Sequence, residues 1–304
     1  MKKIIILVIL SLMLIVSSGV MAVDDDQLTI GMAFQEMNNQ YFIVMKEALI
    51  EAGESIGAEV IFTDARHDVN KQISDIEDMI MKGIDILLLN PADSVGIETA
   101  VIEAKNAGVI VVAVDAQANG PLDSFVGSKN YDAGYKAGIE MAKDLGGKGQ
   151  VAILDGIPVV PILERVRGFK AAMEEYPNME IVDVQNGRQE RDKAMSVVEN
   201  MLQANPDLDS IFSVNDIGSL GALAAIQSSG LDVTLYSVDG HPEAVEAILN
   251  GDIFKATSAQ FPRDQVRIGL GMALAKYWSA EKVPAEVPVE VKLLNKDNAS
   301  GFSW

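Results

Sequence analysis

With no cysteine among its 304 residues, the chain can offer neither a thiolate nucleophile nor a thiolate metal ligand. Its histidines, His67 and His241, stand in polar, loop-like surroundings without a partner at metal-ligand spacing, and are expected in surface turns. Neither a Gly-x-Ser-x-Gly elbow nor a Gly-x-Gly-x-x-Gly loop occurs. The stretch Gly146-Gly147-Lys148-Gly149 precedes a strand instead of linking a strand to a helix, so it reads as a turn. The sequence offers no catalytic set, and neither enzyme activity nor a cofactor or metal is expected.

What recurs instead is a polar residue at the end of an apolar run. Asp115 follows Val109–Val114, Asn215-Asp216 follow Ser210–Val214, Asp239-Gly240 follow Val233–Val238, and Gln260 closes Ile253–Ala259. Glu164-Arg165 open a helix after Pro158–Pro161, and Asn38-Asn39 with Tyr41-Phe42 follow the apolar run ending at Phe34. Each of these, taken singly, fits a cap, a turn or, for the aromatics, core. Together they supply carboxylates, carboxamides, one guanidinium and an aromatic face. Such a set suits a neutral polyhydroxylated ligand, whose hydroxyls need planar donors and acceptors and whose C–H faces need rings.

The elements that must position them alternate. Strands are expected at Leu28–Phe34, Ala58–Phe62, Ile84–Asn90, Val109–Val114 and Phe125–Gly127, then at Gln150–Leu154, Met179–Val184, Ser210–Val214, Val233–Val238 and Ile253–Ala259. Most are solid apolar runs, as strands covered on both faces should be. Helical stripes lie between them, for instance Val69, Ile73, Ile76 and Ile80 over Asp68–Met81. Asp93 or Ser94 looks like an N-cap and Gly108 like a helix stop. Regular alternation predicts an α/β fold with parallel sheets, and two series predict two similar Rossmann-like lobes. The expected division is 23–127 plus 262–293 for the N-terminal lobe and 128–261 for the C-terminal lobe. Ala285–Lys292 alternates like a strand and should return to the first lobe, with a loose polar tail over 294–304.

Residues 1–22 stand apart. Lys2 and Lys3 precede an apolar run from Ile4 to Val16, and small residues lead to Ala22. This reads as an export signal removed after Ala22, with an uncleaved anchor as the alternative. Without a cysteine no disulfide forms and no lipid can be attached there, so a free periplasmic protein held by its core is expected. The formal charge of −20 becomes about −22 once Lys2 and Lys3 are removed. So acidic a chain is a poor partner for nucleic acid or anionic membranes.

On these stretches the chain resembles the periplasmic sugar-binding proteins of ABC transporters, especially the ribose-binding group (periplasmic binding protein type 1). The resemblance rests on Asn38-Asn39-Gln40-Tyr41-Phe42, Asn90-Pro91-Ala92-Asp93-Ser94, Val114-Asp115-Ala116-Gln117, Glu164-Arg165-Val166-Arg167-Gly168-Phe169, Asn215-Asp216, Val238-Asp239-Gly240 and Ala259-Gln260, in matching order. It implies two lobes joined by a three-crossing hinge, closing on a small sugar or polyol and docking on permease subunits. Asn39, Tyr41 and Phe42 would grip from the first lobe, with Tyr41 where ribose binders usually carry phenylalanine. Asp115 would accept sugar hydroxyls, Arg165 would donate a forked pair, and Asn215, Asp239 and Gln260 would complete the ring. Two departures stand out. The arginine that usually follows the aspartate is Ala116, and the second-lobe aromatic aligns with Gln189. A pentose-like ligand is therefore expected, without ribose being singled out. A monomer is expected, and a ligand sensor for a chemoreceptor or histidine kinase is the alternative on the same fold. A repressor domain would need a helix-turn-helix ahead of it, where this chain has an export signal.

Overall fold

The computed structural model describes residues 27–304, so the segment read as an export signal lies outside the described residues. The first series runs β1 (Thr29–Phe34), α1 (Gln40–Ser55), β2 (Glu59–Asp64), α2 (Val69–Met81), β3 (Ile86–Leu89), α3 (Glu98–Asn106), β4 (Ile110–Val114) and β5 (Ser124–Ser128). The second runs α4 (Asn130–Asp144), β6 (Lys148–Asp155), α5 (Val160–Glu174), β7 (Asn178–Asn186), α6 (Arg191–Ala204), β8 (Ser210–Ser213), α7 (Asp216–Ser229), β9 (Thr234–Asp239), α8 (Pro242–Asn250) and β10 (Phe254–Ala259). The chain ends with α9 (Pro262–Tyr277), β11 (Glu286–Val289) and β12 (Lys292–Asn295).

Two six-stranded sheets result, ordered β11-β5-β4-β3-β1-β2 and β12-β10-β9-β8-β6-β7. All pairings are parallel except β10 with β12. The interior strands are buried along nearly their whole length, as in β3 and β8, which accounts for their unbroken apolar sequences. The chain passes between the sheets three times, after β5, after β10 and between β11 and β12. In each sheet the order reverses beside the first strand, and ligands in such sheets sit outside the carboxyl ends of the strands near that point. These are the ends where the polar residues fall.

The last crossing corrects the expected boundary. Lys292 and Leu293, assigned to the first lobe from sequence, begin β12, which pairs antiparallel with β10 in the second sheet. The 294–304 segment is not loose: Leu294 and Ala299 are fully buried against Val245 and Ala259. The start signals also needed local chemistry. Asp68 caps α2 through the N–H groups of Asn70 and Lys71, as expected. Asp93 instead caps a turn at Val95 and Gly96, and α3 starts later without a side-chain cap. Gly108, at φ 86°, ends α3 in the left-handed region that glycine adopts without strain.

One packing detail sets the position of Arg165. Helices α4 and α5 meet at Gly134 and Gly168. A Cβ on Gly134 would lie 1.9 Å from the Arg165 carbonyl oxygen, and one on Gly168 2.0 Å from that of Tyr131. The two backbones are therefore in contact, and α5 cannot move outward without losing that fit.

Candidate functional site

Asn39, Tyr41, Phe42, Asp115, Arg165, Gln189, Asn215, Asp239 and Gln260 all line one space between the lobes, of about 640 Å³ including its mouth. Gln35, Pro91, Ser94 and Ala116 add to the first-lobe wall, and Ile157, Val159, Pro161 and Ile162 to the second. The aliphatic stretch from the end of β6 into the first turn of α5 escaped sequence reasoning because apolar residues around two prolines look like a hinge or core segment.

Several wall residues have two jobs. Asn39 is the N-cap of α1, its Oδ1 accepting from the Tyr41 N–H at 2.9 Å. Asn215 caps α7 in the same way, accepting from the Gly218 N–H at 3.1 Å. Capping uses the amide oxygens and leaves both Nδ2 groups without a protein partner among the described residues. The cap reading and the ligand reading of these asparagines are thus compatible. Tyr41 and Phe42 likewise pack in the first-lobe core, edge to face at 5.5 Å, while their outer surfaces form the wall.

The Tyr41 hydroxyl sits in a buried chain. It donates to Asp115 Oδ1 at 3.0 Å and accepts from Gln265 Nε2 at 2.8 Å. Its one proton being taken, the 3.5 Å approach to Gln260 Oε1 is a contact and not a hydrogen bond. Asn90 Nδ2 donates to Asp115 Oδ2 at 3.1 Å. Gln265 also donates to Ser128 Oγ at 2.8 Å, so the chain ties α1, β4, β5 and α9 together at the hinge. Burial pushes the Asp115 carboxyl up to about 6, against the opposing pull of Arg165 and the Tyr41 hydroxyl.

On the second lobe, Arg165 is 5% exposed. Its Nε donates to Asn130 Oδ1 at 2.8 Å, and Nη1 donates to the Val214 carbonyl at 2.8 Å and to Asp239 Oδ1 at 3.0 Å. No protein acceptor meets Nη2 among the described residues. Gln260 Nε2 donates to the same Asp239 oxygen at 2.7 Å. Burial raises the Asp239 carboxyl, and Arg165 holds it down in part.

Asp216, grouped with the site residues by its strand-end position, faces away from the space. It is fully buried, its Oδ2 accepting from the Gly240 and His241 N–H groups at 2.8 and 2.7 Å and its Oδ1 bonded to the Thr257 hydroxyl at 2.8 Å. Burial, then repulsion from Asp239, pushes it up to about 8. Its partners all lie on the Asp239 loop and β10, with the Thr257 hydroxyl donating to Oδ1. Asp216 is thus a buttress for the Asp239 loop. His241 caps α8, its Nδ1 accepting from the Glu243 N–H at 3.2 Å, and His67 is an exposed left-handed turn residue at φ 61°.

Gln189 and Ala116 face the space where the sequence departs from the ribose-binding pattern. Gln189 stands in a left-handed turn at φ 62° and accepts at Oε1 from the Ile157 N–H at 3.3 Å. Its amide Nε2 has no protein partner among the described residues. Ala116 is nearly buried at 8%, leaving free the volume a long basic side chain would fill.

Comparison with known proteins agrees with this geometry. The ribose import binding protein RbsB of Bacillus subtilis is 38% identical over 238 residues, covering 78% of this chain and 77% of its own. A xylitol-binding protein of Mycolicibacterium smegmatis is 28% identical, covering 92% and 81%. Among solved structures, an ABC transporter periplasmic solute binding protein from Actinobacillus succinogenes with bound D-allose superposes with a TM-score of 0.86, at 29% identity over 91% of this chain and 100% of that one. The model of the periplasmic binding protein domain matches residues 30–279. The chain belongs to the periplasmic binding proteins, a family of transport components that bind ligands and are not enzymes.

Proposed function

We propose that this protein captures one small neutral sugar or polyol, of about pentose size, between its lobes and delivers it to the permease of an ABC importer. The observation that carries this reading is the set of unused donors facing one space from both lobes. Nδ2 of Asn39 lies on one side, and Nδ2 of Asn215, Nη2 of Arg165 and Nε2 of Gln189 on the other. The Asp115 and Asp239 carboxylates and the Gln260 amide line the same space. Vicinal hydroxyls both donate and accept, so they can satisfy both kinds of group at once. A single carboxylate or ammonium ligand could not. The Tyr41 and Phe42 rings, with Ile157 and Ile162 opposite, offer apolar surface for the C–H faces.

Ligand touching one lobe and then bridging to the other favours closure by its differential affinity for the closed state. The missing arginine and ring at Ala116 and Gln189 make room for hydrogen bonding where ribose binders stack and clamp. The leader over residues 1–22 would place the protein in the periplasm, where it would act as a monomer. The test is a thermal-shift panel on residues 23–304 with pentoses, hexoses, pentitols, amino acids and sugar phosphates. A neutral sugar or polyol should raise Tm by several degrees through mass action. Stabilisation by an amino acid or sugar phosphate alone would overturn the reading.

A further inference from the structure

The C-terminal residues lie across the hinge, where no role has been assigned to them. After β12 the chain turns back over the second lobe, and the Phe302 ring packs 6.1 Å from that of Phe261. Phe302 also lies where a Cβ on Gly240 would be 3.0 Å from its Cε1. Two residues on, Trp304, partly buried, packs against the first-lobe core cluster. Its indole meets Tyr41 edge to face at 5.5 Å and His241 at 5.5 Å. Its Nε1–H donates to the backbone carbonyl of Asp239 at 3.1 Å.

Trp304 therefore touches a wall residue of each lobe from behind. Tyr41 belongs to α1 of the first lobe, and Asp239 ends β9 of the second. The tail that carries the indole is anchored in the second lobe through Leu294 and Ala299. We propose that Trp304 is a positioning residue for the binding site and a fourth tie across the hinge, favouring the arrangement in which Tyr41 and Asp239 face each other. The three crossings are covalent and set the axis of motion. A non-covalent tie that must break or slide when the lobes part sets instead how often they part. Losing it should lower apparent affinity by the drop in closed population, roughly fivefold or more, without removing any atom that touches ligand.

This inference rests on the reading that the lobes close on a ligand, but its test needs none. The chain lacks cysteine, so two engineered ones can be labelled selectively. Asn70 and Asp192 are exposed at the starts of α2 and α6, one on each lobe. Nitroxides on N70C and D192C report the lobe separation by double electron–electron resonance. In the unliganded protein, W304A should enlarge the long-distance population severalfold over the parent. W304F, which keeps a ring beside Tyr41 and loses the bond to the Asp239 carbonyl, should fall between them. Distance distributions that coincide for parent and W304A overturn the proposal, whether or not any sugar binds. If circular dichroism shows W304A unfolded, W304F decides, and coincidence with the parent overturns it. A sugar panel with no binder, alongside a shifted W304A distribution, would leave the tie standing and remove only the ligand reading.

Discussion

Replacing Arg165 with alanine should destabilise the protein by an amount that grows with pH. Arg165 makes three hydrogen bonds while almost wholly buried, one of them to the Asp239 carboxylate. Removing one partner of a buried ion pair costs about 3–5 kcal/mol. Here Asp239 keeps its bond from Gln260, and water can enter from the cleft, so the low end applies. A loss of roughly 3 kcal/mol corresponds to a Tm drop of roughly 5 °C for a chain of this size.

The pH dependence follows from the carboxyls that Arg165 serves. It lowers both Asp115 and Asp239, whose folded-state values burial has raised. Without the guanidinium both rise further. An acid whose folded pKa lies above its unfolded value contributes stability at low pH and loses it as pH rises through the folded pKa. The Arg165→Ala defect should therefore be smaller at pH 5, where the carboxyls can take up protons, than at pH 8. Arg165→Lys should recover less than half of it, since one ammonium cannot copy the forked geometry. Calorimetric melts of the three proteins at both pH values check this. A Tm within about 1 °C of the parent, or a defect larger at pH 5, would refute the network as described.

Three further outcomes are expected. Burial holds Asp216 at about 8, well above the ordinary carboxylate range, so its stabilisation is present below about pH 4 and lost as pH rises towards 8. Asp216→Asn, which mimics the protonated form, should flatten the fall in Tm over that window, and a fall as steep as the parent's would refute the assignment. Gly168→Ala should cost about 1–3 kcal/mol in chemical unfolding and weaken ligand binding, because the added methyl pushes α5 and Arg165 off α4; unchanged stability would show that the helices can separate freely. Affinity for a ligand that donates to Asp115 should fall as pH drops below about 6, by about tenfold per unit, and a flat calorimetric profile down to pH 5 would exclude that contact.

Much of the fold was legible because period and burial coincide. Solid apolar runs such as Ile86–Leu89 and Ile110–Val114 became interior strands, and the alternation gave two parallel sheets. β12 was not legible. Lys-Leu-Leu-Asn is too short and mixed to show a period, and its place is fixed by pairing with β10, which no local pattern records. The same limit hid Trp304, whose partners lie 65 and 263 positions away, at Asp239 and Tyr41. All nine residues picked out as ligand-facing line one space: Asp115, Asn215, Asp239 and Gln260 were marked by strand-end polarity, which sheet topology gathers, whereas Gln189 was marked only by the resemblance to sugar binders. Asp216 shows where that signal fails. Strand-end position cannot tell a carboxylate facing the cleft from one turned back onto Gly240 and His241. Asn130 and Gln265 were missed as supports because an amide at a helix start or inside a helix carries no sequence mark of what it braces, and Asn90, at the end of β3, carried no local sign that it would brace Asp115.

In the proposed function a neutral polyhydroxylated ligand is held between the lobes by groups from both. The most direct measurement is a crystal structure of residues 23–304 with the strongest binder from the thermal-shift panel. That ligand is expected in the space between Tyr41 and Ile162, its oxygens within hydrogen-bonding distance of Asp115, Arg165 and Asp239, and Gln189 Nε2 donating to it. A ligand seated elsewhere, or contacts from one lobe alone, would contradict the proposed function.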